Sequence, residues 1–258
     1  MPSEVQHLVD TGGWYPVIRL AGVLDTDTAT AVRLALVELL AQQPEAIVID
    51  VSDLQLPDPG AASVLRDVAR ETADWPAAHL VICAPTSEPW HTTGLPVWRS
   101  TADAFTDLGE PESPRQLSLA LEPVVGAARR SRELVTEACG RWDQPALAGP
   151  ACIVVTEMVN NVVAHAKTPM IVLLAIRRDA MAVAVRDRSS IVPRFTGPVP
   201  ATSYGGRGLL LIDSVADRWG SLPLEGGKVV WAVLQQPDER PPAQLRHRNA
   251  GMADRTRG

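Results

Sequence analysis

Pro150-Ala151-Cys152-Ile153-Val154-Val155-Thr156-Glu157-Met158-Val159-Asn160-Asn161-Val162-Val163-Ala164-His165-Ala166 is the stretch on which the reading turns. Its apolar positions Ile153, Val154, Val155, Met158, Val162 and Val163 follow helical spacing, and Pro150 suits the first position of a helix. Glu157, Asn161 and His165 then fall at i, i+4 and i+8, stacked a turn apart on one stripe. A carboxylate and an amide among so many valines cost free energy unless they meet a ligand or a partner. A helix that turns both groups toward one pocket can polarise a nucleophile and hold a metal ion.

Working outward, Ala127 to Trp142 carries Leu134, Val135, Ala138 and Cys139 on one side and reads as a preceding helix, ended by Pro145. Two apolar strands follow the central helix, Met170 to Ile176 and Met181 to Val185, joined by a turn at Arg178-Asp179. The second ends at Asp187, where a carboxylate can accept a hydrogen bond from an exocyclic amine such as that of adenine. A Pro-containing loop, Ser189 to Ser203, leads to Gly205-Gly206-Arg207-Gly208-Leu209 and an apolar helix to about Val215. Glycines ahead of a helix let backbone N–H groups approach phosphate oxygens, and the helix dipole favours the anion. Gly226-Gly227 makes a hairpin between Trp219-to-Leu224 and a last strand, Lys228 to Leu234.

The first half alternates differently. Val17 to Leu24, Ala46 to Val51 and Leu80 to Ala84 read as strands, the middle one a continuous β-branched run of the kind covered on both faces. Helices fit between them, one capped by Asp27 or Thr28 and running to about Gln42. A second opens on Asp58-Pro59 as N-cap and first residue and runs to about Glu71. A short helix, Ala102 to Leu108, closes the half. The order predicts a small α/β layer.

Composition bounds what the chain can do. At 258 residues, 46% hydrophobic and 21% charged, it is long enough for two ordinary domains and is not disordered throughout. Net charge of −6 argues against nucleic acid as a direct partner. No uninterrupted apolar run reaches the roughly 20 residues of a membrane span, and Met1-Pro2-Ser3-Glu4 opens no signal peptide. Cys83, Cys139 and Cys152 lack metal-type spacing and read as reduced, buried thiols, so a cytoplasmic location is expected. The boundaries read as a flexible N-terminus over 1–11, domains over 12–108 and 124–236, a linker over 109–123 around Gly109-Glu110-Pro111, and a disordered Pro/Arg-rich tail over 237–258.

Residues 12–108 resemble the STAS domain, on the strand Ile18 to Asp25, on Ile47-Val48-Ile49-Asp50, and on Asp58-Pro59-Gly60-Ala61-Ala62-Ser63-Val64-Leu65. In phospho-switched members the residue after that aspartate is a serine acceptor; here Pro59 stands there and cannot take a phosphate. The resemblance therefore implies a docking module without that switch. The ordered set of helix E-x-x-x-N-x-x-x-H, strand–Asp and loop–G-x-G–helix over residues 124–236 resembles the GHKL (Bergerat) ATP-binding fold, an α/β sandwich, in its anti-sigma-factor serine-kinase branch. Asp217-Arg218-Trp219-Gly220 and Gly227-Lys228-Val229-Val230-Trp231 add to that likeness. The fold class expected for the chain is thus α/β (α+β).

The second resemblance implies ATP and Mg2+ as cofactors. It makes Glu157 the general base, Asn161 the Mg2+ ligand, Asp187 the adenine-reading acid, and Gly206, Arg207 and Gly208 the phosphate loop. His165 and Lys228 fall where the family pattern often has polar residues near the nucleotide or the fold's edge. One departure is visible: where the family has D-x-G-x-G, this chain reads Asp187-Arg188-Ser189-Ser190-Ile191. The implied function is an ATP-dependent protein serine/threonine kinase and anti-sigma factor that works by partner switching. A sigma factor or a STAS-type antagonist would be the partner, and homodimerisation stays open. The alternative is a catalytically inactive scaffold, with or without nucleotide, that only docks proteins.

Overall fold

The computed structural model describes residues 4–111, 115–177, 180–191 and 207–235. The chain divides into two compact units, 1–114 and 115–258. In the first, a five-stranded sheet has the order β1 (Val5–Asp10), β2 (Val17–Val23), β3 (Ala46–Gln55), β4 (His79–Cys83), β5 (Val97–Trp98). β2 through β5 are parallel and β1 is antiparallel to β2. Helices α1 (Ala29–Leu40), α2 (Ser63–Glu71) and α3 (Thr101–Leu108) complete the unit.

The β-branched run of β3 is buried on both faces, as parallel strands require. Val48 joins Val17, Val81, Cys83 and Ala104 of α3 in one cluster, while its neighbours Ile47 and Ile49, pointing to the opposite face, are fully buried. Asp58 caps as its sequence suggests: its Oδ1 accepts the Gly60 N–H at 2.8 Å, with Pro59 first in a 3-10 turn, Pro59–Ala62, that runs straight into α2.

The second unit is an antiparallel sheet of order β6 (Gln116–Leu121), β7 (Met170–Arg177), β8 (Ala180–Asp187), β10 (Gly227–Gln235), β9 (Arg218–Leu224). It is packed by helices α4 (Ala127–Arg141), α5 (Pro145–Asn161) and α6 (Arg207–Val215). Leu147, Ala151, Val154, Val155, Met158 and Val159 of α5 are buried in a core shared with Val172, Leu174, Val183 and Val185 of the sheet. The segment Pro145–Ala166 is long and apolar enough to cross a membrane by length and composition, with mean hydropathy 1.4, yet it is the central core helix of this unit.

Three local expectations are corrected. α5 starts at Pro145, five residues before Pro150; Pro145 takes the first helical position, and Pro150 sits inside the helix. Residues 5–10, expected within a flexible N-terminus, form β1 against β2, and Gln116–Leu121, expected within a linker, form β6 against β7. Both are edge strands; β1 is largely exposed, and β6 turns Leu117, Leu119 and Leu121 to the core with exposed residues between, so neither carries the continuous apolar run that marks a central strand. The expected tail over 237–258 and the turn at Arg178-Asp179 lie outside the described residues.

Candidate functional site

The end of α5 sets the site. Glu157 and Asn161 stand half-buried on one stripe, as their spacing requires. After Asn161 the helix widens into a π turn, Val162–Ala166, closed by the Lys167 N–H donating to the Val162 carbonyl at 2.7 Å. A π turn rotates each residue less than an α turn does, so His165 leaves the register it would hold on a continuous helix; it is exposed. Glu157 and Asn161 are brought together by the structure, and His165 belongs to the adjoining turn.

The first turn of α6 packs onto that stripe. A Cβ placed on Gly208 would lie 2.8 Å from Glu157 Oε2 and 3.7 Å from Asn161 Nδ2. A side chain at 208 would crowd the carboxylate as it now stands, whereas its distance to the amide is that of ordinary contact. The backbone of Arg207 opens α6; Gly206, the other glycine of the pair, lies outside the described residues.

Asp187 ends β8 and is 3% exposed. Its Oδ1 accepts from Lys228 Nζ at 2.9 Å and from the Ser189 N–H at 2.7 Å. Its Oδ2 is buried without a hydrogen-bond partner among the described residues. A buried carboxylate oxygen left unmatched costs about 1–3 kcal/mol, which a donor on a ligand would recover. Lys228 faces Asp187 directly across the β8–β10 pairing and is itself 5% exposed. Gly227 allows this meeting of strands, since a Cβ there would fall 2.1 Å from the Asp187 carbonyl oxygen.

An open cavity of about 920 Å³ borders Asp187, Met170, Leu121, Arg130, Glu225 and Gly227; Glu157 and Asn161 do not line it. Among the described residues no cluster of three His, Cys, Asp or Glu side chains could hold a metal by itself. The donor set suits a cation held by one amide oxygen and by a ligand's own oxygens, the habit of Mg2+ on a phosphate chain. Sequence reasoning marked Lys228 only as a polar position near the nucleotide or the fold's edge. Its partnership with Asp187 follows from the register of β10 on β8, which sets Lys228 opposite the last residue of β8.

Comparison with known proteins finds two family matches, one in each unit. The family model "Mlab, STAS domain" matches residues 7–76, and the histidine kinase-like ATPase domain matches residues 112–234. No curated protein matches the chain at a significant level. Among solved structures, an anti-sigma factor antagonist from Mycobacterium paratuberculosis is 26% identical with TM-score 0.35, over 42% of this chain and 96% of that one. The RsbU and RsbW domains of a Mycobacterium tuberculosis protein are 19% identical with TM-score 0.36, over 48% of this chain and 32% of that one. The chain joins a STAS domain to a histidine kinase-like ATPase domain.

Proposed function

We propose that this protein is an ATP-binding, partner-switching regulator of bacterial transcription: an anti-sigma factor and serine kinase with a STAS docking domain that is not itself switched by phosphate. The observation that carries the reading is the packing of Gly208 onto Glu157 and Asn161, with the unmatched Asp187 Oδ2 in the same unit. A family match to an ATPase domain supports ATP use. The residues present fit the nucleotide and its ion.

In this reading Glu157 accepts the proton of a serine hydroxyl on the partner protein. Asn161 lends its amide oxygen to Mg2+, Asp187 Oδ2 accepts from an exocyclic amine, and the backbone around Arg207 and Gly208 donates to phosphate oxygens. When bound, Mg2+–ATP supplies the phosphoryl group and the positive charge that offsets its developing negative charge. Pro59 at the start of its 3-10 turn offers no hydroxyl, so the acceptor lies on a separate STAS-type antagonist. The partner is that antagonist or a sigma factor, and the location is cytoplasmic.

The test is phosphotransfer to a STAS-type antagonist with wild type and Glu157→Ala. The reading expects transfer that the variant loses while it keeps ATP affinity. ATP binding without any transfer by wild type would overturn the kinase part and leave a scaffold.

A further inference from the structure

The Asp187–Lys228 pair presents two buried polar groups side by side, and its hydrogen bonds are unevenly used. Asp187 Oδ1 is filled by Lys228 Nζ and the Ser189 N–H, at 2.9 and 2.7 Å, whereas Oδ2 has no partner among the described residues. The ammonium has three donors. One goes to Asp187 Oδ1 and one to the Ser189 carbonyl at 3.1 Å. The third belongs to a side chain only 7% exposed, so bulk water is a poor partner for it. Among the described residues, an unmatched acceptor therefore stands next to an ammonium that uses two of its three N–H groups, both largely shielded from water, at the end of β8.

We propose that Lys228 is a specificity-determining residue that reads the nucleobase together with Asp187: Oδ2 accepts from the adenine N6 amine while the third N–H of Lys228 donates to adenine N1. This rests on the reading of the second unit as an ATP site. Adenine offers a donor at its 6-position and an acceptor at N1, the complement of the pair. Guanine, held in the same orientation, reverses both, setting O6 against Oδ2 and N1–H against the ammonium. The Ser189 contacts give the pair its second task. Lys228 and Asp187 Oδ1 together grip the Ser189 backbone, fixing a turn that lacks the glycine of the family pattern.

Calorimetric titration of the full chain with ATP, 1-deaza-ATP and GTP, each with Mg2+, separates reading from mere support. Wild type should lose about 10- to 100-fold in affinity when N1 is replaced by carbon, the range of a hydrogen bond to a charged group. It should lose at least as much with GTP. Lys228→Met and Lys228→Thr should weaken ATP by a similar factor and bind ATP and 1-deaza-ATP equally. Wild type that binds both adenine nucleotides alike would overturn the proposal. So would variants that weaken both nucleotides by one factor and keep their ratio, since that is the mark of a turn-supporting lysine alone. No ATP affinity in wild type would overturn the ATP reading and this inference together, whereas intact affinity with an unchanged ratio overturns only the inference. Should neither variant fold, the wild-type comparison of ATP with 1-deaza-ATP still decides.

Discussion

Gly208→Ala separates the stability of the fold from the geometry of the site. The new Cβ would fall 2.8 Å from Glu157 Oε2, and the carboxylate must retreat by about 0.6 Å to reach the 3.4 Å of ordinary contact. The obstructing atom is the far end of a flexible side chain, so the fold adjusts readily. Alanine also favours a helix over glycine by up to about 1 kcal/mol. The melting temperature should therefore stay level or rise slightly. Chemistry should suffer instead, because a misplacement of about 1 Å can cost on the order of 100-fold in rate. A shift of this size should slow single-turnover phosphotransfer to the antagonist by on the order of 10-fold. Calorimetric melting and labelled-phosphate transfer, run on the same preparation, read the two effects apart. A melting temperature lowered by several degrees with transfer unchanged would show that Gly208 serves packing rather than the site.

Two further outcomes are expected. Burial, with added repulsion from Asp50 and Asp103, pushes the Cys83 thiol up to about 11 from its ordinary 9.0. The unfolded chain thus releases this proton first, so the thiol's contribution is intact below pH 9.0 and fades as pH rises toward about 11. Thermal melts across that window should show an alkaline loss that Cys83→Ala reduces; equal slopes in both proteins would refute the assignment. Asp58→Ala removes the acceptor for the Gly60 N–H and should cost roughly 0.5–2 kcal/mol in urea unfolding, with an unchanged value refuting the cap.

What the sequence disclosed follows physical lines. Strong signals were those that repeat: the buried run of β3, the apolar periodicity of α5, the glycine pair of the last hairpin. Their elements are where the pattern put them, the start of α5 apart, because burial on one or two faces leaves little choice of residue. β1 and β6 went unseen because an edge strand can be half polar and still pair. The start of α5 was misplaced because two prolines, Pro145 and Pro150, both suit a first turn, and only the packing of Leu147 selects the earlier one. In the site, the Glu157–Asn161 stripe was legible from spacing alone. The π turn that moves His165 was not, since widening one turn leaves no mark in residue type. Nor was the Lys228–Asp187 bond, which depends on the register between strands separated by a loop and a helix.

The central claim is that Asn161 holds a metal ion on a bound nucleotide, and the most direct measurement is ATP affinity with and without Mg2+ for wild type and Asn161→Ala. Saturating nucleotide, at about 100 times its Kd, should stabilise wild type by about 2.7 kcal/mol in a thermal shift. The account expects that shift to depend strongly on Mg2+ in wild type and hardly at all in the variant. Equal Mg2+ dependence in both proteins, or no nucleotide-dependent shift in wild type, would contradict it.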